Sequence, residues 1–305
     1  MKIKSAFSLI ELSVVILIIG ILVIGITKGS RVIIETRLKT ARSLTNSSPV
    51  ISMPNLVLWL DASDPSTIAT GTVSPGTYTN SPNDGDFVTD WKDRNPQIQT
   101  PIALSAPAGN NRPKYIKNGI NNLPTIQFDG SDDYLRILNN VISAGKNDYT
   151  LAVVIQPFSF TSSPFAFGMH SPTTACNGGS FGIYYTPIAT NTGNPISWGC
   201  GSTDYIVSSQ PLKTRQPYLH VLRVNRSATP TTTFYTNNFP VVNTTQTFSI
   251  PLDSGVYSAI GGAPHNGSEI LDGQISEVIV FDRALSNLEI SDLRSYLSKK
   301  YNIKI

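Results

Sequence analysis

The sequence predicts an all-β sandwich head with a short C-terminal helix, carried on a long N-terminal transmembrane α-helix. Three observations lead there. An almost unbroken apolar run fills residues 7–26. Beyond about residue 55, short runs rich in β-branched and aromatic residues alternate with Gly, Pro, Asn and Asp clusters, as in a sandwich. Only 14% of residues are charged while small polar residues abound, which reads as a β-rich, loop-rich extracytoplasmic domain.

The chain has 305 residues and 40% hydrophobic content, enough for a sizeable core. Its formal charge of +3 is unevenly placed, because residues 1–50 hold seven Lys/Arg against Glu11 and Glu35. The rest of the chain keeps 16 basic and 18 acidic residues of the total 23 and 20, so no basic face points to nucleic acid.

In the N-terminal run, about 20 apolar residues would span ~30 Å as a helix, the thickness of a bilayer core. Glu11 is the one ionisable residue within it. Lys2 and Lys4, the small Ala6, then Phe7-Ser8-Leu9-Ile10-Glu11 and the apolar helix resemble the N-terminal segment of type IV pilins and pseudopilins. The resemblance implies cleavage by a prepilin peptidase between Ala6 and Phe7 and methylation of the new amine. It also implies pairing of Glu11 with the Phe7 amine of a neighbouring subunit, residues i and i+4 sharing a helix face. This sequence departs from the family pattern by having Ala6 where glycine is usual. A bare count of basic residues around the run would place the head in the cytoplasm. The two cysteines, the low charge and the leader pattern favour export instead.

The helix continues to about residue 45, supported by Glu35 four residues before Lys39. Asn46-Ser47-Ser48-Pro49 and Pro54 then form a linker. The domains are therefore a leader at 1–6, a transmembrane and assembly helix at 7–45, a linker at 46–54 and the sandwich with its C-terminal helix at 55–305. Strands are expected at 56–61, 125–128, 134–138, 149–156, 218–225, 232–236 and 275–281. Leu285, Leu288, Leu293 and Leu297 approximate helical spacing, and Ser286 three before Glu289 forms a capping box. The segments LWLDASDPSTI, VTDWKDRNP, INNLPTIQFDGSDDYL and the stretch from GGAPHNG to LSKKY resemble laminin-G-like, concanavalin A-like domains over residues 56–301. That resemblance implies a two-sheet jelly-roll sandwich and leaves the function open.

Asp129-Gly130-Ser131-Asp132-Asp133 gathers three carboxylates. They read either as a Ca2+ site, with Asp61 and Asp64 as helpers, or as a tight turn between two strands. Cys176 and Cys200 form a disulfide if the domain is exported, or else remain two buried thiols. Gly178-Gly179-Ser180-Phe181-Gly182 fits G-x-S-x-G, but the following residues read as a strand where the hydrolase elbow needs a helix. His170, His220 and His265 have no metal-ligand spacing. Trp59 and Trp91 fit the core, whereas Trp198, in a polar Gly-rich loop, is the candidate for stacking on a glycan. No array of alternating acids on one strand is visible, so the paired carboxylates of glycoside hydrolysis are missing.

These features predict a non-enzymatic minor pilin or pseudopilin-like subunit, with a head for adhesion or for glycan or protein binding. It would be anchored by a single pass in the bacterial inner membrane with its head in the periplasm, and would assemble with other pilin subunits through the N-terminal helix. The alternative is a membrane-anchored carbohydrate-active enzyme.

Overall fold

The computed structural model describes residues 9–71, 76–79, 81–107, 111–138, 141–142, 148–161, 163–170, 181–189, 192–199, 205–207, 211–225, 231–243, 257–263 and 268–305. Two antiparallel sheets face each other. The first runs in the order β17 (Phe239–Asn243), β16 (Thr231–Thr236), β15 (Tyr218–Asn225), β9 (Tyr149–Pro157), β19 (Asp272–Phe281), β7 (Thr125–Asp129) and β6 (Lys114–Ile116). β1 (Leu56–Asp61) joins it by pairing with the second half of β19. The second sheet runs β13 (Tyr205–Val207), β12 (Thr192–Gly199), β11 (Phe181–Ala189), β10 (Phe165–His170), β18 (Tyr257–Ile260), β8 (Leu135–Ile137), β5 (Ala103–Ser105), β4 (Val88–Lys92), β2 (Ile68–Thr70) and β3 (Thr77–Tyr78). β14 (Leu212–Lys213) pairs with β12.

Period-2 alternation places the core, because successive side chains of a strand point to opposite faces. On β9, Leu151, Val153 and Ile155 enter the space between the sheets, where Phe128, Phe167 and Tyr185 also lie. Ala152 and Val154 face the other way, into a second cluster on the outer face of the first sheet. That outer cluster is covered by two helices: the end of α1 (Leu9–Asn46), through Ala41, and α2 (Asn287–Tyr301), through Ile290, Leu293, Leu297 and Tyr301.

The expected capping box is present. Ser286 Oγ accepts the Glu289 amide at 3.3 Å, and Glu289 Oε2 accepts the Ser286 amide at 2.8 Å. It satisfies two amide groups that a helix start otherwise leaves without partners. Strands expected at 56–61 and 218–225 have those limits, and the others shift by one to three residues at their ends.

α1 corrects the expectation of a membrane span. Although it is 38 residues long, among the described residues no helix is long and apolar enough to cross a membrane. The single-pass inner-membrane placement falls with it. Ala6 and Phe7 lie outside the described residues, and Glu11 lies on the exposed first turn of α1.

A β-bulge in β19, between Ile275 and Glu277, changes which residues face inward. Ile275 and Val278 both point into the core, so Glu277 turns outward beneath α2. There it is wholly enclosed. Glu277 Oε1 accepts from Trp59 Nε1 and the Tyr296 hydroxyl, each at 2.7 Å, and Oε2 accepts from the Tyr301 hydroxyl at 2.8 Å. Lys300 Nζ bridges Glu277 Oε2 at 2.7 Å and Asp61 Oδ2 at 2.9 Å, and it donates to Thr45 Oγ1 at 2.8 Å. Asp61 also receives Arg94 Nη1 at 2.8 Å. One network thus ties the last turn of α1, two strands and α2 together. Burial would raise the Asp61 carboxyl, but Lys300 and Arg94 outweigh it and hold the group at about 2. Burial pushes Glu277 up, with Lys300 opposing.

Removing one partner of a buried ion pair leaves an uncompensated charge, which costs about 3–5 kcal/mol. Lys300→Met is expected to lower stability by about that amount, read from the denaturant midpoint of Trp fluorescence. A loss below about 1 kcal/mol, the range of exposed pairs, would show that the network contributes little.

Candidate functional site

The carboxylate turn forms where β7 ends. Asp129 is the last residue of β7 and pairs in register with Asp272, the first of β19. Gly130 has φ +78°, and a Cβ there would stand 2.7 Å from the Cβ of Asp272. Only glycine fits that backbone and that space. Asp129 Oδ1 then accepts the amides of Ser131 at 2.8 Å and Asp132 at 3.3 Å, which folds the turn back on itself.

This fold brings Asp129, Asp132 and Asp133 together, with one carboxylate oxygen from each lying within 4.8 Å of the others. Asp129 and Asp132 are exposed and Asp133 is buried. Burial, followed by repulsion from Asp129 and Asp132, pushes Asp133 up to about 7. Asp272 is also raised, by burial and then by Asp129, while Arg215 opposes the rise. The donor set is all carboxylate. It suits a hard cation such as Ca2+, which takes six to eight oxygens, and it supplies three of them. The fit is therefore chemically sound, with backbone carbonyls and water to complete the shell. When bound, the cation would offset two of the three negative charges and offer its open positions to hydroxyl ligands.

The other sites expected from sequence are distributed differently. Asp61 belongs to the buried ion network, and Asp64 accepts the Ser66 amide at 3.2 Å at the start of a short 3-10 turn, so neither helps the turn at Asp129. Trp59 and Trp91 are fully buried. Trp198 lies on β12, in register with Tyr205 of β13, instead of in a loop. Cys176, Cys200, Ser180 and His265 lie outside the described residues. Phe181 begins β11, a strand of nine residues, so the helix that the G-x-S-x-G elbow needs does not follow it. Asp272 and the buried network were missed by sequence reasoning. Asp272 becomes significant only through its cross-strand partner, which local sequence does not reveal.

His220 lies between the sheets, enclosed by Tyr185, Tyr218 and Phe234 at ring-centroid distances of 5.8, 6.0 and 5.6 Å. It is fully buried, and burial lowers its pKa to about 3. Unfolded histidine titrates near 6.5, so between pH 6.5 and 3 the unfolded chain binds a proton that the folded chain excludes. Stability should fall as pH drops through that window, by about 1.4 kcal/mol per unit from this group. Unfolding titrations at pH 7 and pH 4 are expected to show a smaller loss in His220→Leu than in the wild type. Equal losses would count against the assignment.

A protein-family model described as the concanavalin A-like lectin/glucanases superfamily matches residues 129–291. No curated protein sequence matches the chain. Among solved structures, a GH54 α-L-arabinofuranosidase aligns with TM-score 0.57 at 11% identity, covering 81% of this chain and 63% of that one. The Trypanosoma rangeli sialidase aligns with TM-score 0.52 at 14% identity, covering 87% of this chain and 38% of that one. The chain thus spans less than two thirds of either enzyme, and at these identities the likeness is one of fold.

The comparisons correct two expectations. The matched family begins at residue 129 and gives no support to a pilin-type N-terminal segment, so the reading as a minor pilin or pseudopilin-like subunit does not stand. The expectation of a non-enzyme loses its support as well, because the matched family's description takes in glucanases beside lectins. With more than half of its length matched and its two-sheet sandwich in place, the chain belongs to the concanavalin A-like lectin/glucanases superfamily.

Proposed function

We propose that the sandwich is carbohydrate-active and engages oligosaccharides at the Asp129–Asp133 turn, with Ca2+ held by its three carboxylates. The observation that carries this reading is the convergence of three carboxylate oxygens within 4.8 Å, one of them on a buried residue. Three like charges at that spacing repel one another, and a divalent cation is the economical way to keep them together near neutral pH. The family description and the glycosidase likeness of the fold support sugar as the ligand class.

A second reading uses the same residues for hydrolysis. Paired acids of retaining glycosidases stand about 5–5.5 Å apart. Asp129, Asp132 and Asp133 each bring a carboxylate oxygen within 4.8 Å of the others, closer than that range, so this reading needs the pair to part when substrate binds.

One set of measurements tests both. The full chain is expected to gain thermal stability with millimolar CaCl2 and to bind members of a glycan array that includes arabinan and sialylated oligosaccharides. Asp129→Asn/Asp132→Asn is expected to lose both effects. Release of reducing ends from a bound glycan, lost in Asp133→Asn, would select hydrolysis. A melt indifferent to CaCl2 and EDTA, together with an empty array, would overturn the proposal.

A further inference from the structure

A second cleft, remote in sequence from the Asp129 turn, lies where α1 meets the end of α2. It is an open groove of about 370 Å³, within the range of small-ligand clefts. Its walls come from three places: Arg37, Thr40 and Leu44 on α1, Asn121 in the turn before β7, and Lys299 and Asn302 at the end of α2. No Asp or Glu lines it.

The charges decide what it can hold. Arg37 and Lys299 are exposed, and neither makes an ion pair or hydrogen bond with another described residue. Lys300 also reaches the wall, but its ammonium is engaged by Asp61 and Glu277 beneath. The buried network sums to zero, with two carboxylates against Lys300 and Arg94, so nothing below the cleft neutralises Arg37 and Lys299. Polar groups complete the lining. Asn121 is fixed by donating from Nδ2 to the Lys300 carbonyl at 3.1 Å, and Asn302 takes a left-handed conformation at φ +53° that carries the chain past the helix end. Two unpaired cations from separate helices, with Thr40, Asn121 and Asn302 in the same lining, match an oxyanion carried on a polyhydroxylated ligand.

We propose that this cleft binds the sulfate or carboxylate group of an acidic oligosaccharide, with Arg37 and Lys299 as its charge partners. The proposal shares the ligand class of the carbohydrate reading, but it uses neither the Asp129 turn nor calcium.

The test is calorimetric titration of the full chain, in EDTA and at low salt, with a heparin-derived oligosaccharide, a neutral oligosaccharide of equal length and inorganic sulfate. The heparin oligosaccharide is expected to bind, and Arg37→Ala/Lys299→Ala to weaken it at least tenfold while the melting temperature stays unchanged. Asp129→Asn should bind as the wild type does, which separates this site from the first. No binding, equal binding in the double variant, or equally tight binding of inorganic sulfate would each overturn the proposal.

Discussion

Lys300 is the residue on which the arrangement of the molecule turns. It is the one cation placed between Asp61 and Glu277, and all three side chains are sealed from solvent. A carboxylate buried alone would lose far more solvation than a protein interior returns, so each acid depends on the shared ammonium. Because Thr45 also binds Lys300, the network fixes the end of α1 in the same act. The apolar cluster around Trp59, Ile279 and Leu293 supplies the bulk of the adhesion between helices and sheet. Hydrophobic contact is non-directional, whereas an ion network accepts only one geometry, so the helices' position is set by the latter.

The same strand carries both charged regions of the sandwich, and the bulge separates them. β19 opens at Asp272 beside the Asp129 turn and passes Glu277 beneath α2. If the ladder ran on regularly from Ile275 with no bulge, Glu277 would fall opposite Val153 and point into the apolar space between the sheets. There it would meet Val153 and Leu58 in place of Lys300. A local irregularity in one ladder therefore decides whether the buried acid finds its cation.

How much of this was legible in the sequence depends on the range of the interaction. The capping box of α2 and the long strands at 149–157 and 218–225 are local patterns, and they read correctly because their physics lies within a few residues. The three acids of the turn at Asp129 were visible for the same reason. Asp272 and Glu277 were not, since their meaning rests on register and on a bulge that no periodicity announces. The N-terminal segment misled in the opposite way. Its few residues matched a local pattern, yet the premise behind that pattern was an apolar helix long enough for a bilayer, and the described residues do not provide it.

Comparing the two acidic groups shows why function is placed at one and not the other. Glu277 accepts four hydrogen bonds on its two oxygens, one of them from the Lys300 ammonium, so its electrostatic demand is met within the protein. It has no surface through which a ligand could enter. Asp133 is also buried, yet the charges that act on it most are two further carboxylates, and a backbone hydrogen bond and Lys114 oppose them only in part. That demand is met by a proton or by a cation from outside. An acid whose charge is satisfied internally holds a fold together, while one left unsatisfied beside open solvent is where the molecule can respond to something it binds. At the turn after β7, Asp133 stands in that second condition, with Asp129 and Asp132 beside it to complete a carboxylate cluster.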